Sequence, residues 1–157
     1  MQDTDSIIKG LLTIGNMLPY VSMAIGIGGI ITIPMMLIND KLSKGYKIAL
    51  MIALVGFLLP MVLVILLFIA DKTTLPWSTN TQHAILISVF AAAMSFHIAF
   101  FNLMPKKVES HNDKLSMAIQ ILVYAGLGVE IMFLAAAIIF IALDHYAASG
   151  HSRESSN

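Results

Sequence analysis

The chain has 157 residues, 58% hydrophobic and 11% charged, with nine Lys/Arg against nine Asp/Glu. Soluble domains carry about a quarter charged residues, so this composition argues against one, and the balanced charge offers no basic patch for nucleic acid. The absence of cysteine excludes disulfides, thiol chemistry and Cys-ligated metal.

The first predicted element is a membrane-spanning helix over 11–38, inside 30 uncharged residues between Lys9 and Asp40. Its opening MQDTDSIIK carries two aspartates and no small-residue cleavage site follows, so it reads as a span and not as a secretory leader. A straight helix of this length measures about 42 Å, more than the hydrocarbon thickness, so it must tilt or bend, with Pro19 and Pro34 as candidate bend points. Gly15, Ser22, Gly26 and Gly29 form a stripe of small residues suited to close helix approach. The glycines of AIGIGGI follow no strand and do not form a nucleotide loop.

The loop NDKLSKGYK then supplies Lys41, Lys44 and Lys47. A second span over 48–70 fills the 23 uncharged residues between Lys47 and Asp71; it is bulky, reading LLPMVLVILLF at its core, with Pro60 as a bend point. After DKTTLPWSTNTQ comes a third span, 83–104, with Ser88, Ala91, Ala92, Ser95, Ala99 and Asn102 as its small-residue stripe. The loop PKKVESHNDK brings Lys106, Lys107 and Lys114. A fourth span, 115–143, contains one charged residue, Glu130, and a polar tail over 145–157 ends the chain.

A span needs about 20 apolar residues, and all four runs qualify without the two-residue alternation of barrel strands. The expected fold is therefore an all-α integral membrane protein, one membrane domain over 1–157 with four transmembrane helices. Lys/Arg-rich short loops stay cytoplasmic. The two loops between spans one and two and between spans three and four carry six lysines, against three basic residues elsewhere. This places both termini outside, in a membrane of the bacterial inner type, with Tyr20 and Trp77 near the outer interface and Tyr46 near the inner one.

The two basic loops share a word. Asn39-Asp40-Lys41-Leu42-Ser43 recurs as Asn112-Asp113-Lys114-Leu115-Ser116, 73 residues later, and each copy runs 27 further residues to an aspartate, Asp71 or Asp144. The chain reads as a tandem helical hairpin, 10–71 and 83–144, forming parallel repeats about an axis along the membrane normal. The small-residue spans one and three are then expected as inner helices, with two and four outside them. In this alignment Glu130 corresponds to Phe57.

Polar groups inside the spans are the candidates for function. A charge at mid-membrane costs about 3 kcal/mol on insertion scales, so Glu130 is expected to be protonated, donating to a hydroxyl or carbonyl. Counted from Leu115, it lies about 22 Å deep, level with Ser22 and Ser88, and these three form the ion-binding candidate. His97, counted from Met104, lies about 10 Å deep, which predicts about 12 Å of separation from Glu130 and no direct pair. His97, Gln120, Tyr124 and Asn102 are the remaining intramembrane polar groups, and His97 reads as an interhelical hydrogen-bonding residue. His83 and His97 have a haem-like spacing of fourteen, but span four offers no matching histidine, so neither haem nor any metal or other cofactor is expected.

This plan of paired hairpins, small residues in spans one and three and a lone mid-membrane carboxylate in span four resembles the proteolipid of V-type rotary ATPases. The resemblance is architectural; it implies that Glu130 carries an ion, while GLGVEIMFL lacks the proteolipid motif around the carboxylate. The hairpins with basic inner loops are also similar to conjugative pilins, of which the chain resembles two fused units. No nucleophile triad, phosphate loop or paired carboxylates point to an enzyme. The expected function is a non-enzymatic, self-associating structural subunit of a membrane assembly, contacting lipid and other membrane subunits. The alternative is a proton- or cation-translocating subunit, or a small transporter, using Glu130.

Overall fold

The structure is a computed structural model that describes residues 2–72, 79–104 and 113–154, with side-chain surroundings chiefly over 17–66, 84–104 and 114–142. Among these residues it forms four helices, α1 (Gln2–Leu37), α2 (Lys44–Lys72), α3 (Thr79–Leu103) and α4 (Asp113–Glu154). Each contains a stretch long and apolar enough to cross a membrane. No strand occurs among the described residues.

Neighbouring helices run antiparallel in a four-cornered bundle. α1 packs on α2 and α4, and α3 packs on the same two, so α1 and α3 stand diagonally. This corrects the expectation that spans one and three are the inner pair. α2 buries the largest share of its span, 39% against 22% for each other helix. The physical reason lies in what the small residues hold. A methyl group at Gly29 would overlap the Phe57 ring, and one at Gly26 would lie 2.8 Å from the Met61 sulfur. Gly26 and Gly29 are thus sockets for large α2 side chains. A methyl at Gly28 would meet Leu122 of α4 at 3.1 Å, so the neighbouring glycine turns to the other flank of α1.

On α3 the small-residue stripe faces away from the bundle: Ser88, Ser95 and Asn102 are exposed. Phe90, Ala93, His97 and Phe100, recurring at helical spacing, are buried instead. α4 presents Ser116, Ile119, Val123, Gly126 and Glu130 inward by the same periodicity. The continuous core joins Ile33 and Met36 of α1, Tyr46, Leu50 and Phe57 of α2, Phe100 of α3, and Ile119 and Val123 of α4.

The loop between α1 and α2 is built from short polar side chains. The Lys41 N–H donates to Asn39 Oδ1 at 3.1 Å, and the Tyr46 N–H donates to Ser43 Oγ at 3.2 Å, which makes Ser43 the N-cap of α2. The repeated word behaves differently in its second copy, where Asp113 to Ser116 already lie within α4. Ser116 is buried, and its hydroxyl is 2.8 Å from that of Tyr46. Tyr46, expected at the inner interface, is 1% exposed and sits inside the bundle. Trp77, Lys106 and Lys107 lie outside the described residues.

Candidate functional site

One layer of side chains crosses all four helices. Gly29 of α1 receives the Phe57 ring of α2, and Phe57 lies 4.6 Å, centroid to centroid, from the His97 imidazole of α3. His97 Nδ1 lies 2.9 Å from Glu130 Oε1 and 3.0 Å from Oε2 on α4. The two residues are 1% and 3% exposed. Glycines on both flanking helices make room for the ring: a methyl at Gly56 would lie 2.7 Å from Nε2, and one at Gly126 would lie 3.2 Å from Cε1.

The direct His97–Glu130 contact overturns the 12 Å separation expected from counting inward. That count assumed that spans three and four meet the inner interface at Met104 and Leu115, level with each other. The contacts Phe90–Phe133, His97–Glu130 and Phe101–Tyr124 set the antiparallel register instead. On it, Met104 stands near residue 121, so α4 runs about 9 Å further toward the basic loops than α3. Side chains also tilt toward helix N-termini. In antiparallel neighbours this carries His97 and Glu130 toward each other.

The charge of the pair depends on Nε2. With Nε2 protonated and one more proton shared across the contact, a neutral acid facing bare Nδ1 and a carboxylate facing a doubly protonated ring both sum to zero. The cost of a lone charge at this depth, about 3 kcal/mol, is then avoided. With Nε2 bare, the shared proton leaves one negative charge on the pair. Nδ1 is satisfied by the carboxyl group, but Nε2 is buried with no hydrogen-bond partner among the described residues. A buried, unpaired polar atom is uncommon in native structures and calls for a physical account.

The other candidates are dispersed. The Ser88 hydroxyl donates to the Ala84 carbonyl at 2.8 Å and Ser95 to that of Ala91 at 2.9 Å, both on exposed positions, so Ser88 does not join Glu130 in an ion site. Ser22 is half-buried, and among the described residues no hydrogen bond links it to Glu130. Gln120 is half-buried; Tyr124 is 61% exposed and stacks on Phe101 at 4.2 Å; Asn102 is exposed. Lys41, Lys44 and Lys114 are exposed and Lys47 half-buried. The surroundings of Gly15 and the side chain of His83 lie outside the described residues. Two features were not anticipated as parts of a site, the Gly56/Gly126 cradle and the Tyr46–Ser116 bond. A glycine in the bulky run ALVGFLLP was the available signal for the first, since a glycine mid-helix costs stability unless something must approach closely.

Comparison with protein-family models, with curated proteins and with solved structures finds no match to this chain.

Proposed function

We propose that this protein is a proton-handling multipass membrane subunit or small transporter in which His97 and Glu130 together form the proton-binding site. One observation carries the reading: an acid and a base in direct contact, both excluded from solvent, in the middle of spans that otherwise contain almost nothing ionisable. Intramembrane ionisable pairs mark proton and ion routes. In this reading the basic loops are cytoplasmic, both termini are outside, and the membrane is of the bacterial inner type. The tandem hairpin belongs to the same reading, with Phe57 and Glu130, equivalent in the two copies, flanking one imidazole.

The test is proton flux into liposomes holding the purified protein and a trapped pH-sensitive dye. Glu130→Gln and His97→Gln keep size and hydrogen bonding but remove the titrating groups. Each is expected to lower flux by about a hundredfold or more, the scale of one general acid or base, while the helical circular dichroism stays unchanged. Wild-type flux in either variant refutes the proposal.

A second reading is a self-associating structural subunit, with the pair serving as helix glue. It is favoured by the exposed Ser88, Ser95 and Asn102, a small polar stripe on the lipid-facing side of α3. Full assembly with loss of flux in Glu130→Gln would count against it.

A further inference from the structure

The unpaired Nε2 of His97 faces Gly56, and four residues further along α2 stands Pro60. In a helix the carbonyl of residue i accepts from the N–H of residue i+4. Proline has no N–H, so Pro60 leaves the Gly56 carbonyl without its ordinary donor. Both Gly56 and Pro60 are buried. The same residue of α2 therefore offers His97 an open flank, through its missing side chain, and a freed acceptor, through the missing donor above it.

We propose that Gly56 and Pro60 are positioning residues for the proton site, and that the Gly56 carbonyl is the partner for Nε2 when that nitrogen carries a proton. This rests on the reading of His97 and Glu130 as a proton site and adds a second station to it. Without a proton on Nε2, the pair carries one negative charge: the neutral ring donates through Nδ1–H to the Glu130 carboxylate and packs its bare nitrogen against Gly56. When a proton arrives on Nε2, the Nδ1 proton passes to the Glu130 carboxylate. The ring stays neutral, the carboxylate becomes a carboxylic acid donating to Nδ1, and the ring turns so that Nε2–H donates to the Gly56 carbonyl. One proton has entered, one hydrogen bond has been exchanged for two, and the ring has relayed charge between α2 and α4. The ring moves only within the cradle, because Gly126 and Phe57 enclose its other edges. Among the described residues, Glu130 is the one other titratable group against the ring; α2 presents Gly56 and Phe57 there, and α1 reaches the layer through Gly29.

The experiment is solid-state NMR of the full chain in lipid bilayers with ¹⁵N-labelled histidine, His97 being assigned by its loss in His97→Gln. The ratio of Nε2-protonated to Nε2-bare ring is read at fixed pH. Pro60→Ala restores the N–H and returns the Gly56 carbonyl to the helix ladder, so the ratio is expected to fall about tenfold, equivalent to about 1.4 kcal/mol for one hydrogen bond. A merely structural proline would leave the ratio at its wild-type value, and that result overturns the proposal. Gly56→Ala is the second variant, in case Pro60→Ala fails to form the bundle. Its methyl displaces the ring edge, and the same fall is expected. Gly128→Ala, whose added methyl meets nothing within 4 Å, is the control and should keep the wild-type ratio. An unchanged ratio in Gly56→Ala also overturns the proposal. Wild-type liposomes that carry no proton would sink the proposed function and leave the ring-nitrogen ratio to be judged by itself.

Discussion

Two groups that satisfy each other inside a membrane are held there chiefly by the penalty of leaving one of them alone, and at Glu130 that penalty can be measured. His97→Leu removes the partner at Nδ1 and leaves a buried carboxyl group with no other hydrogen-bonding side chain around it among the described residues. The expected cost is about 1–3 kcal/mol. The double variant His97→Leu/Glu130→Leu has nothing left to satisfy and should recover most of that loss, because leucine packs against leucine as well as lipid does. Steric-trap unfolding in detergent micelles would measure both. A double variant as unstable as the single one would mean that packing of the imidazole, and not its bond to Glu130, holds the layer together. The second buried bond, Tyr46–Ser116, permits the same comparison: Tyr46→Phe keeps the ring, strands a 3% exposed hydroxyl and should cost about 1 kcal/mol.

At the scale of the helices, the bundle is assembled by large side chains entering glycine sockets, and one socket is decisive. Gly29→Ala places a methyl in the Phe57 ring, which cannot retreat without pressing on His97. Overpacking of this kind costs about 1–3 kcal/mol, and here it should also loosen the His97–Glu130 contact. Thermal melts of Gly29→Ala beside Gly128→Ala would separate the two effects. The latter meets open space and should be neutral or stabilising by about 0.5–1 kcal/mol, as expected for an alanine replacing a mid-helix glycine. The four apolar helices and the inward turn of Glu130 were legible in the sequence, because charge gaps and helical periodicity are local signals; the ends were not, since α1 begins at Gln2 and α4 runs on to Glu154. The pairing of His97 with Glu130 was not. A depth count from loop ends carries no information on how far one helix slides along another. That stagger is set by contacts such as Phe101 on Tyr124, which join residues distant in the chain. The direction of the α3 stripe was hidden for a related reason: small residues permit approach on any side, and only the bulk of Phe90 and Phe100 decided which face was filled.

At the scale of the molecule, if His97 and Glu130 bind a proton as proposed, orientation in the membrane decides from which side it reaches them. The core that joins Ile33, Met36, Tyr46, Leu50, Phe100 and Ile119 fills the half of the bundle between His97 and the basic loops, and the Tyr46–Ser116 bond ties α2 to α4 within it. With those loops cytoplasmic, as the lysine distribution argues, this packed half separates His97 and Glu130 from the inner surface. The native chain has no cysteine, so single cysteines can report orientation without background. Ser43→Cys lies in the loop between α1 and α2, and Ser78→Cys in the segment between α2 and α3. A membrane-impermeant maleimide added to intact cells is expected to label Ser78→Cys and to reach Ser43→Cys only after the membrane is opened. The reverse pattern would invert the bundle. The packed half would then face outward, and the same residues would have to load their proton from the cytoplasm. The flux experiment would detect that inversion independently, because proteoliposomes of known orientation would respond to acidification on the opposite side.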